Sequence, residues 1–296
     1  MIDIKLKAVL KYTIKFKHKF GDFIKLTKKI ELYVSESGSL RYEVMRRLFR
    51  KKNLRLLLER KNPKYFNHTS RRINRIMKGK EFTYLEIGVA DGTTIQSIAS
   101  SNKHGVDPNP LFNTEKLPFT ITFSKLTSDE FFSTLDKSCK FDFIFIDGLH
   151  EINQLTRDFF NSLRHLTIGG WILIDDIVPC DSISALSSIN ESYEVRGVNH
   201  QEGYPWHGNC YKLLNLVLQV FPNIASFLIL YPDNPQLLLH LDENITNLEL
   251  ISSEKIQEIL ELDYEQVFAS SNLKTYPIHI EELLMNHLVK LNLIYS

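Results

Sequence analysis

Five acids in this chain lie in or just after short apolar runs: Glu86 in Tyr84-Leu-Glu-Ile-Gly, Asp107 in Gly105-Val-Asp-Pro, Asp147 after Phe141-Asp-Phe-Ile-Phe-Ile, and Asp175 with Asp176 after Trp171-Ile-Leu-Ile. One Asp-Gly of this kind reads as a turn or a helix cap. Acids repeated at the carboxyl ends of successive buried strands are hard to explain by stability, because in an open α/β sheet that edge is where ligands bind. Around Glu86, the stretch Tyr84-Leu-Glu-Ile-Gly-Val-Ala-Asp-Gly-Thr-Thr94 reads as a strand, a glycine-bearing turn and a helix start. Such a turn brings backbone N–H groups and a carboxylate to one point where a nucleotide-like ligand can sit. Its spacing, Glu-x-Gly-x-x-x-Gly, is not the Gly-x-Gly-x-x-Gly that cradles a pyrophosphate. Asp107, about 20 residues on, is placed to bind both hydroxyls of a ribose.

These acids need a frame. Aromatic and branched residues predict strands over 82–87, up to 108, and over 119–124, 141–147 and 171–176, with a helix over 93–99. Thr127 or Ser128 caps the start of another helix. Ile152, Leu155, Phe159, Leu163 and Leu166 recur at helical spacing, and Gly169-Gly170 is read as the stop. Residues 225–231 and 236–241 flank Pro-Asp-Asn-Pro, a hairpin signature. The expected fold is α/β: a mostly parallel, Rossmann-like sheet with a final antiparallel pair and helical extensions at both ends.

The glycine turn resembles motif I of the class I S-adenosylmethionine-dependent methyltransferases, and residues 81–243 fit that domain. Phe141-Asp-Phe-Ile-Phe-Ile-Asp-Gly-Leu-His with Gly169-Gly-Trp-Ile-Leu-Ile-Asp-Asp-Ile-Val-Pro resembles the metal-dependent O-methyltransferases, above all those acting on sugar hydroxyls in macrolide, aminocoumarin and surface-glycan biosynthesis. The resemblance implies S-adenosylmethionine held by Glu86, Gly88, Ala90, Asp91, Gly92, Thr93, Asp107, Ser128 and Asp147. It implies Mg2+ or Mn2+ on Asp147, Asp175 and Asp176, oxygen ligands that suit a hard cation. It also makes His150 the base that deprotonates the acceptor, with Asp147 beside it, since a histidine titrating near neutrality can take a hydroxyl proton. Gly203-Tyr-Pro-Trp-His-Gly-Asn-Cys-Tyr-Lys resembles a segment of the same branch in which an acid stands where this chain has Asn209 and a tryptophan where it has Tyr211. Trp206 and His207 either line the acceptor pocket or anchor the next helix.

Residues 1–80 hold 24 of the 36 Lys plus Arg and 6 of the 35 Asp plus Glu, a net +18 set against −17 in the remainder. This arm, read as helical, could rest on an anionic membrane surface or mediate self-association. Without a recognisable RNA-binding motif, nucleic acid is the weaker option. Residues 244–296 read as a helical extension, with helices over 254–268 and 280–293. No apolar run is long enough for a spanning helix, and the lysine-studded start lacks a signal peptide's core. Cys139, Cys180 and Cys210, far apart, argue for a reducing compartment, the cytoplasm, and against a disulfide framework or zinc site. The acceptor is read as a small molecule or glycan. Two alternatives stay open: an RNA or protein methyltransferase that uses the basic arm, and a non-catalytic binding protein on the same fold.

Overall fold

The computed structural model describes residues 68–179, 181–197, 206–231, 235–242, 252–269 and 278–295. The elements run α1 (His68–Ile76), β1 (Thr83–Ile87), α2 (Thr93–Ser97), β2 (Asn102–Val106), a short 3-10 turn, β3 (Ile121–Ser124), α3 (Ser128–Thr134), β4 (Phe141–Ile146), α4 (Ile152–His165) and β5 (Leu166–Ile174). After these come α5 (Ile189–Arg196), α6 (Lys212–Val220), β6 (Ala225–Tyr231), β7 (Gln236–His240), α7 (Ser253–Glu261), α8 (Tyr264–Ala269), β8 (Ile278–Ile280) and α9 (Glu281–Lys290).

The strands form one sheet in the order β3-β2-β1-β4-β5-β7-β6-β8. The first five are parallel, and β7 pairs antiparallel with both β5 and β6. This is the Rossmann-like class I methyltransferase sheet, with β8 added in parallel on β6. Burial on both faces explains why β4 reads as a continuous apolar run. Phe143 and Phe145 join Ile73, Ile76, Leu284, Met285 and Leu288 in one core, while the alternate residues Ile144 and Ile146 are equally buried. Residues from α1 and α9, at the two ends of the described chain, thus close the same face of the sheet. Among the described residues, no helix is long and apolar enough to cross a membrane.

Local chemistry explains the departures from expectation. Gly169-Gly170 does not stop α4: the helix ends at His165, and β5 has already begun at Leu166. The glycines sit in a register shift, with Phe141 opposite Leu166 but Phe143 opposite Trp171. The expected helix over 254–268 is two helices, because Asp263 and Gln266 exchange backbone-to-side-chain hydrogen bonds of 2.8 Å and start α8 anew. The expected helix over 280–293 begins at Glu281, after a strand the sequence did not suggest. Strand β3 starts only at Ile121, and Phe119 is fully exposed. Pro232, Asp233 and Asn234 of the expected turn lie outside the described residues, as do Cys180 and the arm through residue 67.

Candidate active site

Strand β1 hands the chain to a turn that its neighbours hold tightly. A Cβ on Gly88, where φ is +82°, would lie 2.1 Å from the Asp147 carbonyl oxygen. The glycine therefore admits the backbone of the β4 exit. Gly88 N–H donates to Val106 (2.9 Å) and Asp147 N–H to Ile87 (2.8 Å), so the exits of β1, β2 and β4 are stitched together.

Asp107 closes the same turn. Its Oδ2 accepts from Val89 N–H and Ala90 N–H at 2.9 Å each, and its Oδ1 accepts from Asn109 N–H at 2.7 Å. These bonds hold Ala90 at its positive φ of 47° and leave one lone pair, on Oδ1, for an outside donor. Asp91 accepts from Thr93 N–H (2.8 Å), which holds its carboxyl below the usual range, and Gly92 precedes α2. Glu86 is buried and receives the Tyr84 hydroxyl at 2.6 Å. Burial pushes its carboxyl well above the ordinary range, against the opposing pull of that bond. Ser128, the first residue of α3, takes a hydrogen bond from Gln154 at 3.0 Å.

Asp147, His150 and Asp176 converge at the exits of β4 and β5. His150 Nε2 lies 2.9 Å from Asp176 Oδ2 and 3.7 Å from Asp147 Oδ1. Asp176 reaches it from a left-handed turn, φ 54°, which aspartate tolerates. The histidine ring stacks on Trp206, centroids 5.3 Å apart, and Trp206 Nε1 donates to the Leu186 carbonyl at 2.7 Å. His207 Nε2 stands 3.7 Å from Asp176 Oδ1. The loop carrying both aromatics is pressed onto the site, since a Cβ on Gly208 would meet the His150 carbonyl at 1.8 Å. Asn209 accepts from Ile152 N–H at 2.7 Å and so caps α4.

The charges are mutually dependent. Burial works against a charged His150, but the hydrogen bonds and charges of Asp147 and Asp176 outweigh it and push its pKa up to about 10. Asp147 is raised to about 6 by burial and by Asp176, with His150 pulling the other way. Asp175 stands behind the group: its Oδ2 accepts from Gln236 (3.1 Å) and its Oδ1 from Asp176 N–H (2.8 Å). Burial, then Asp147 and Asp176, raise it well above the carboxylate range.

Donor atoms of Asp147, His150 and Asp176 all lie within 4.8 Å of one another, so two acids and an imidazole come together where three acids were expected. Two carboxylate oxygens and a nitrogen fit a divalent cation. The turn 88–92 with Asp107 offers a carboxylate oxygen to a ligand that carries hydroxyls. Sequence reasoning missed Tyr84, Gly208 and Gln236, because their partners are distant in the chain or meaningful only once folded; Tyr84, two residues before Glu86 on one strand face, could have been found from the period of two.

Residues 85–177 match the model of a methyltransferase domain. A comparison with curated proteins gives no match. Among solved structures, the chain is similar to the MycE methyltransferase of the mycinamycin biosynthetic pathway, in complex with Mg and SAH: 17% identity, TM-score 0.41, 64% of this chain and 54% of that one. It is also similar to the N-methyltransferase NodS from Bradyrhizobium japonicum (13%, TM-score 0.38, 62% and 98%) and to SAH-bound methyltransferase PaMTH1 from Podospora anserina (14%, TM-score 0.40, 54% and 72%). The chain spans about half the length of the first of these. By its sheet order and by the match over residues 85–177, the chain carries a methyltransferase domain of the Rossmann-like class I fold.

Proposed function

We propose that the protein transfers the methyl group of S-adenosylmethionine to a hydroxyl of a sugar, glycan or other small molecule, with help from a divalent cation. The observation that carries this reading is the meeting of Asp147, His150 and Asp176 at the exits of β4 and β5. That sheet edge also holds the turn 88–92 and Asp107, the place for a nucleoside.

An alcohol is a weak nucleophile at neutral pH, whereas the sulfonium methyl already has a good leaving group, so the protein's task is to activate and align the acceptor. Asp107 would take a ribose hydroxyl on the remaining lone pair of Oδ1, and Glu86 would face the positive methionine end. Asp147 and Asp176, with Asp175 behind them, would hold Mg2+ or Mn2+, whose chemistry is to polarise the acceptor oxygen and lower its pKa. His150 is protonated while both carboxylates face it. Once those carboxylates are engaged elsewhere, its Nε2 is the nearest nitrogen base to the acceptor site. Trp206, stacked on His150, offers a ring face to an acceptor. The free thiols Cys139 and Cys210 accord with work in the reducing cytoplasm.

The test is calorimetric binding of S-adenosylhomocysteine (SAH), with methyl transfer assayed on polyhydroxylated acceptors before and after chelation. Saturable binding with chelator-sensitive transfer is expected. Full transfer after exhaustive chelation removes the metal from the reading, and absence of SAH binding removes the cofactor.

A further inference from the structure

Behind the site runs a buried polar chain that joins three segments lying outside residues 85–177. Arg72 on α1, Gln236 on β7 and Glu281 on α9 are all buried. Arg72 donates through Nε and Nη2 to Glu281 Oε2 (3.2 and 3.0 Å) and through Nη1 to Gln236 Oε1. Gln236 Nε2 donates onward to Thr69 Oγ1 (2.9 Å) and to Asp175 Oδ2 (3.1 Å).

The direction of this chain is set by chemistry. A guanidinium has donors only, so the Gln236 carbonyl must face Arg72. The amide's N–H2 end must then face away, toward Asp175, which accepts. A reversed amide would set N–H against guanidinium and oxygen against carboxylate. Asp175 is therefore held by one oxygen from Gln236, and its other oxygen takes Asp176 N–H at 2.8 Å. That second bond spans the left-handed turn that aims Asp176 at His150.

We propose that Gln236, oriented by the buried Arg72–Glu281 pair, is a positioning residue for cation binding at Asp147 and Asp176, beside His150, acting through Asp175. This rests on the metal-assisted reading above. It makes cation affinity depend on α1 and α9. Partners that orient metal ligands typically carry a 10- to 100-fold effect on metal affinity.

Mn2+ and SAH binding isotherms would be compared in the full chain, Gln236→Met and Gln236→Asn. Methionine keeps the volume and removes the donor, whereas asparagine keeps the amide but is too short to bridge Arg72 and Asp175. The expected result is weaker Mn2+ binding by about 10-fold or more in both variants, with SAH affinity unchanged. Unchanged Mn2+ affinity in either variant that still binds SAH overturns the relay. Loss of both affinities in step, in both variants, makes Gln236 a folding element and also overturns it. If the unaltered chain takes up no Mn2+ while binding SAH, the metal reading itself falls, a result distinct from failure of the relay.

Discussion

His150 carries opposing demands: its burial disfavours charge, and Asp147 and Asp176 require it. A histidine near 6.5 in the unfolded chain and about 10 in the folded one adds stability that is complete below about 6.5 and lost as pH rises through 10. Asp147, raised to about 6, acts in its own lower window, where stability falls as pH climbs from 3.8 to 6. Between pH 7 and 10 His150 therefore contributes a falling slope. Thermal melts in chelator should fall over that range in the parent and become shallower in His150→Phe; equal slopes would contradict the pairing. His150→Ala should lower turnover by about 100-fold or more, the scale of a lost general base, as steady-state kinetics would show. Asp107 clamps the turn and, in the proposed reading, would also accept from a ribose hydroxyl. Asp107→Ala should weaken SAH binding by about 1 to 3 kcal/mol, read by calorimetry, and unchanged affinity would place the nucleoside elsewhere.

At the scale of elements, α1 and α9 are joined by three ion pairs of different worth, two of which, from Arg71 and Arg72, share Glu281. Glu281 is buried against Arg72, whereas Glu282 meets Arg75 in the open. Removing one partner of a buried pair strands a charge, so Glu281→Ala should cost about 3 to 5 kcal/mol in denaturant unfolding. Glu282→Ala should cost about 1 kcal/mol or less. Equal effects would mean that Arg72 finds another acceptor. Gly208 is a similar contact between loop and element, since the backbone oxygen of His150 occupies the place of its side chain. The break between α7 and α8 follows from Asp263 acting as a cap, a local signal present in the sequence but masked by continuing helical periodicity.

For the whole molecule, the uneven charge marks out a basic arm by composition, and among the described residues the groups that meet at the exits of β1, β2, β4 and β5 all belong to the chain after residue 80. Deleting residues 1–40 should leave SAH affinity and turnover on a soluble acceptor intact. Any attachment the arm makes should weaken with salt, since exposed lysines act over a distance that ions screen. Loss of SAH binding in a folded truncation would put the arm inside the site.

Sequence alone determined the strand succession through β7, the turn after β1, the capped start of α3 and the acids at the sheet's ligand edge, because period, capping and turn chemistry are local. It left Trp206 and His207 open between the acceptor pocket and an anchor for the next helix, and the fold brings Trp206 onto His150. Only the tertiary structure decided that Gly88 yields to a neighbouring strand's backbone, that Asp175 turns toward Gln236 while His150 joins Asp147 and Asp176, and that chain segments around 72 and 281 close one core. The physical reason is separation along the chain. Arg72 meets Glu281 209 residues away, and Gln236 meets Asp175 at a distance of 61 residues. No local pattern encodes which buried donor finds which buried acceptor; the packing of α1 and α9 on the sheet does.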